Sequence, residues 1–149
     1  MNNQDLRKAS GVVGAVLVLL GALSLVPGIT TGLYGELEVA GTGSTAELFG
    51  LFQTSWLLLL AYAAIGAVGL AAMRSERGAR WFLTSAGVLF LAAWVYGLVT
   101  ANDGGANFVP FNAAGDWLNL VLGVVSLGSP IALRESAGAP THTTPHAHA

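Results

Sequence analysis

Along the chain, apolar positions gather into four long stretches with short polar connections between them. The stretches cover residues 9–27, 48–73, 81–100 and 117–133. A helix needs about 20 mostly apolar residues to cross a hydrocarbon core about 30 Å thick, because each residue rises about 1.5 Å. The first stretch has no charge after Lys8 and the second has none at all; the third is closed by Asn102-Asp103-Gly104-Gly105, and the fourth ends at Arg134-Glu135. The fourth is the shortest and carries Pro130, which lacks a backbone donor. The pattern predicts an all-α membrane protein, a bundle of four transmembrane helices over residues 1–135, followed by a disordered tail over 136–149.

Arg7 and Lys8 before the first apolar run also fit a secretory leader. No small-x-small cleavage site follows Leu25-Val26-Pro27-Gly28, so an uncleaved first helix is the expectation. In the first outer connection, Leu33-Tyr34-Gly35-Glu36-Leu37-Glu38-Val39 alternates as a short strand or small hairpin would. Ser44 and Glu47 have capping-box spacing and predict the start of helix two, whose first turns would stand out of the hydrocarbon. Asn112 has the chemistry of a cap for helix four.

Charge sets the orientation. All basic residues (Arg7, Lys8, Arg74, Arg77, Arg80 and Arg134) fall on one side of the four-span pattern. The opposite connections hold only acidic residues: Glu36, Glu38, Glu47, Asp103 and Asp116. Basic residues in short loops stay in the cytoplasm, and six on one side by chance is roughly a one-in-thirty event. Both termini are therefore expected inside, in the cytoplasmic membrane of a bacterium. That arrangement needs an even number of spans.

Composition agrees and narrows the chemistry. Apolar residues make up 54% of the chain and charged residues 9%, against about 25% in soluble domains. The net charge of −2 gives no basic face for nucleic acid. Without cysteine there is no disulfide, thiolate metal site or thiol nucleophile. His142, His146 and His148 all lie in the tail, so no span offers a histidine pair to haem, and His146-x-His148 reads as solvated low complexity rather than a metal site. No Asp, Glu, Lys or Arg sits inside a span's hydrocarbon zone, which argues against a proton- or ion-coupled transporter. No nucleophile–base pair is in view either. The expectation is no enzymatic activity, no cofactor and no metal.

What remains is polar side chains within the spans, most of which read as interhelical hydrogen-bonding groups. Gln53, Asn119 and Tyr96 are expected to face inward and hydrogen-bond across helices in the outer half of the bundle, with Asp116 above them at the water boundary and Tyr62 below near mid-depth. Unsatisfied amides in lipid would cost several kcal/mol. The cluster would either fix helix register or line the floor of a small pocket open to the outside. Trp56, Trp81, Trp94 and Trp117 lie near span ends, as aromatic belts do. Gly14, Gly21 and Gly28 on helix one, Gly66 and Gly69 on helix two, and Ala93 with Gly97 on helix three mark close-packing faces, with Leu17 on a neighbouring face of helix one.

Two segments carry a family resemblance. One is Leu48-Phe49-Gly50-Leu51-Phe52-Gln53 with Gly66-Ala67-Val68-Gly69-Leu70-Ala71-Ala72; the other is Val109-Pro110-Phe111-Asn112 with Asp116-Trp117-Leu118-Asn119-Leu120. With the four-span layout, they resemble the actinobacterial membrane family catalogued as domain of unknown function 4383, over about residues 8–134. Members of that family often carry H-N-x-x-H in helix two and D-N-W-L-H opening helix four. The resemblance sets those histidines at Leu58, Tyr62 and Asn119 here, so any activity they carry in relatives is expected to be lost. Trp117 and Leu118 match directly, and Asp116 matches if a gap takes the place of the motif's asparagine.

The leading functional expectation is a non-enzymatic structural or accessory protein of the membrane, as a subunit of a larger assembly or a homo-oligomer. The alternative is a binder or carrier of a small apolar or lipid-like ligand between the helices. A packed interior favours the first and an apolar cleft favours the second.

Overall fold

A computed structural model describes residues 3–31, 46–100 and 112–138. The Leu33–Val39 alternation, Ser44, Gly104, Gly105, Pro110 and the three histidines lie outside the described residues. Four helices dominate: α1 (Asn3–Leu23), α2 (Trp56–Ala72), α3 (Glu76–Thr100) and α4 (Ala113–Gly138). Of these, α1, α3 and α4 are long and apolar enough to cross a membrane, whereas α2, at 17 residues, is shorter. Pro130 lies inside α4, and α4 runs past Glu135, where the tail was expected to begin.

Helix two does not begin at residue 48. Glu47–Leu48 and Phe52–Gln53 instead form strands β2 and β3, which pair antiparallel with each other, and β1 (Thr30–Thr31) pairs with β2. The reversal between β2 and β3 is made by Phe49 and Gly50, both at positive φ, a region that glycine enters at little cost and most side chains avoid. Once the chain has turned there it cannot be helical. Ser55 then caps α2: its backbone is extended and its side-chain oxygen accepts from the Leu58 amide at 3.3 Å. The Ser44–Glu47 spacing is therefore not a capping box, since Glu47 is a strand residue whose amide donates to Thr31 Oγ1. Asn112 does cap α4, its Oδ1 accepting from the Gly115 amide, and its Nδ2 donates to the Leu51 carbonyl at 2.6 Å, tying α4 to the β2–β3 turn.

The helices run up and down as two antiparallel pairs. Along α1 and α2 the close approaches are Gly11 with Met73, Gly14 with Gly66 and Leu70, and Gly21 with Leu59 and Ala63. A Cβ at Gly66 would lie 2.6 Å from the Val18 amide nitrogen and 2.7 Å from the Gly14 carbonyl, so backbone meets backbone at that crossing. Ser10 Oγ reinforces it by donating to the Gly69 carbonyl at 2.9 Å in a buried site. The α3–α4 pair has the same construction, with Gly97 against Asp116, Gly123 against Leu91 and Gly87 against Leu127. Gly28 is not part of this face; it follows the end of α1 in a turn at φ 91°.

Leu6, Val13, Leu17, Tyr62, Phe82, Leu83, Phe90 and Leu122 form the buried core. Leu17 is fully buried within this core. The outside is equally apolar: Val12, Leu60, Val68, Val99 and Val124 are all more than half exposed, whereas Ser10, Ser55, Asn119 and Ser126 are buried. A water-soluble domain does not expose large apolar residues on every helix while burying its polar ones. This surface is membrane-compatible.

The Gly14–Gly66 crossing gives a direct test. Gly66→Ala should lower stability against denaturant in detergent micelles by about 1–3 kcal/mol, the usual cost of overpacking. Val68→Ala, at a site 59% exposed, should cost much less. Equal tolerance of the two would show that α1 and α2 do not touch there.

Candidate functional site

The two helix pairs meet where α1 packs on α3 and α4 and where α2 packs on α3; along the α2–α3 seam, glycine meets a side chain rather than backbone among the described residues. Large side chains fill it instead. The Tyr62 and Phe90 rings lie 6.4 Å apart, tilted by 42°, and Phe82 occupies the space beside Gly69. Tilted rings leave gaps that glycine-packed backbones do not. One gap, of about 160 Å³, is lined by Leu57, Leu58, Tyr62, Phe90, Ala93 and Asn119, among others. A second, of about 290 Å³, continues from it along the seam past Ile65 and Leu89, which line both, towards Phe82.

Asn119 is the polar feature of this cleft. It is 1% exposed, and its Nδ2 has no hydrogen-bond partner among the described residues. An unpaired buried donor costs about 1–3 kcal/mol. Two other groups on α4 share that condition: Ser126 Oγ, and Asp116 Oδ1, whose carboxyl group lies over Gly97. Asp116 and Asn119 are one helical turn apart on α4, with the carboxyl packed against α3 at Gly97. Tyr62, 9% exposed, faces the cleft from α2.

The polar cluster expected from the sequence is thus assembled in part. Tyr62 and Asn119 share the cleft and Asp116 stands next to it. Tyr96 is half-buried, is not among the cleft's lining residues, and accepts the Thr100 hydroxyl on its carbonyl at 2.8 Å. Gln53 does not belong to helix two, because its backbone lies on β3 opposite Glu47; its side chain lies outside the described residues. The mouth also differs from expectation. Towards the sheet, Leu48, Phe52 and Thr54 meet Leu20, Leu58 and Leu118 around only about 10 Å³ of space. The cleft therefore opens sideways, between Leu57 and Leu89, which are 43% and 51% exposed. Sequence reasoning missed this plug and the Phe90 ring. The one available signal for the plug was Gly50, a turn residue inside an apolar run.

The family model described as Domain of unknown function (DUF4383) matches residues 7–131. The chain belongs to this family. No curated protein and no solved structure matches it. Leu58, Tyr62 and Asn119, the positions set against DUF4383 histidines by resemblance, all line the one cleft. Positions far apart in sequence thus converge on one place in the fold.

Replacing Asn119 by leucine removes the orphaned donor and keeps an apolar filling. Asn119→Leu should leave the delipidated protein as stable as the wild type, or more stable by about 1–3 kcal/mol. A loss of that size in the same thermal-unfolding assay would mean that the amide is already paired.

Proposed function

We propose that this chain is a non-enzymatic integral membrane protein of the bacterial cytoplasmic membrane, with four spans and both termini inside. Its accessory role is to hold a lipid-like molecule in the α2–α3–α4 cleft. The antiparallel contacts support the four-span reading. Arg7 Nε donates to the Met73 carbonyl at 2.8 Å, and Arg80 lines a groove with Pro130 and Ile131. The starts of α1 and α3 and the later part of α4 therefore gather at one end of the bundle, where the basic residues are. Short basic segments of this kind are held on the cytoplasmic side.

The observation that carries the ligand reading is Asn119 Nδ2, buried and without a partner among the described residues, in a cleft lined mainly by apolar side chains. Such a site asks for an apolar body with a single acceptor, such as a carbonyl, ester or hydroxyl oxygen. The continuation of the cleft past Ile65 and Leu89 suits a chain lying along the seam with its polar end at Asn119. Its sideways mouth suits entry from the bilayer. A bundle whose only role was structural would gain nothing from leaving this donor unpaired.

Photo-crosslinking tests the ligand. A phospholipid with a diazirine in its acyl chain should label peptides containing Leu57–Ile65 and Leu89–Ala93 well above those around Val12 or Val124. Ala61→Trp, which fills the cleft, should abolish that excess. Uniform labelling of every apolar helix face would leave the purely structural role. Topology is tested separately, since the chain has no native cysteine. Thr42→Cys should react with an impermeant maleimide from outside intact cells, while cysteines at Asn2 and in the tail should react only after lysis.

A further inference from the structure

The α3–α4 pair is close-packed along most of its length and then opens. The approaches at Gly97, Leu91 and Gly87 bring the helices together, with Leu127 backbone 2.7 Å from where a Gly87 Cβ would stand. One turn further along, α3 presents Thr84, Trp81 and Arg80 instead of small residues, and α4 carries Pro130. A Cβ at Gly128 would meet nothing within 4 Å. The helices part here around a groove of about 440 Å³, lined by Arg80, Trp81, Thr84, Leu127, Pro130 and Ile131. The groove shares no lining residue with the Asn119 cleft or its continuation.

Its chemistry is divided lengthwise. Leu127, Pro130 and Ile131 make an apolar wall, and the Trp81 ring, 71% exposed, stands at the lip. At the end nearest the basic cluster, Arg80 supplies a guanidinium and Thr84, one turn on, a hydroxyl. Arg77 lies one turn before Arg80 and is exposed. Among the described residues Arg80 makes one ion pair, at 3.3 Å with Glu76 one turn back, and Glu76 is itself about one-third exposed. A pair this open is weak. A guanidinium carries five N–H donors in a fork suited to phosphate, so most of its donors remain for another acceptor. Around this end the described basic side chains, Arg7, Lys8, Arg74, Arg77 and Arg80, outnumber the acidic ones, Asp5 and Glu76.

We propose that this groove is a binding site for an anionic phospholipid, its phosphate on Arg80 and its acyl chain along Leu127 and Ile131. Charge complementarity selects the anionic head group. The apolar wall selects a lipid over a free anion, which would leave the wall empty. Trp81 then covers the junction between head group and chain, where an indole ring is favoured.

Tryptophan quenching in vesicles tests the site. The full chain is reconstituted into phosphatidylcholine vesicles containing either brominated phosphatidylglycerol or brominated phosphatidylcholine at equal mole fraction. The share of quenching due to Trp81 is the difference between wild type and Trp81→Phe. That share should favour brominated phosphatidylglycerol by about fivefold, the preference that one well-placed basic group gives. Arg80→Gln should erase the preference and Glu76→Gln, which removes the competing carboxylate, should raise it. Arg74→Gln, which alters an exposed arginine in the α2–α3 turn by the same charge, should keep most of it. Circular dichroism confirms that each variant remains folded. Equal quenching by the two lipids in the wild type would overturn the proposal. So would equal losses in Arg74→Gln and Arg80→Gln, which would mean a diffuse surface charge. Neither result bears on the Asn119 cleft, whose crosslinking readout falls on other residues, Leu57–Ile65 and Leu89–Ala93.

Discussion

Backbone contact through glycine is the interaction on which this molecule rests. In an apolar medium, water exclusion cannot drive one apolar helix onto another, so close van der Waals approach must do so. The Gly14–Gly66 crossing, with the Ser10 hydroxyl on the Gly69 carbonyl, joins α1 and α2 into one slab. Gly87 does the same for α3 and α4 at Leu127, while Gly97 and Gly123 make room for Asp116 and Leu91. Where glycine ends, rings and long side chains take over, and the packing loosens. Both notable clefts lie at such places: the α2–α3 seam between the slabs, and the end of α3–α4 beyond Gly87.

The helices were legible in the sequence because long uncharged runs have few other solutions. The start of α2 was not. Leu48, Phe49, Leu51 and Phe52 are as apolar as any helix residue, and hydropathy does not separate a buried hairpin from the first turns of a helix. The decision lies in backbone conformation, at Phe49 and Gly50, and in Ser55, a cap that competed with the Ser44–Glu47 spacing. The glycine faces of α1 and α2 were readable, because small residues at helical spacing have one main use in lipid. Gly28 was over-read, since periodicity continues past the end of a helix.

The site was legible in part for a related reason. Polar residues inside apolar helices are few, so Tyr62 and Asn119 stood out, and both line the cleft. Gln53 stood out equally, but only because helix two was begun too early. The cleft's sideways mouth could not be inferred from side-chain chemistry, because it depends on Leu48 and Phe52 filling the outer end. At Leu58, Tyr62 and Asn119 this chain has an alkyl group, a phenol and an amide, none of which carries charge near neutrality. Whatever enters the cleft is met by shape and by neutral hydrogen-bonding groups rather than by a charged one.

The shortness of α2 has a consequence for the surrounding lipid. At about 1.5 Å per residue its 17 residues rise about 25 Å, less than the roughly 30 Å of a typical hydrocarbon core. On the four-span reading, the bilayer beside α2 must thin locally, or the hairpin must sink below the head groups. That hydrophobic mismatch falls on the one flank where the cleft opens, between Leu57 and Leu89. On that reading, tails beside α2 would already depart from their ordinary alignment, so a tail that leaves the bilayer for the seam would give up less order than one drawn from another side of the protein.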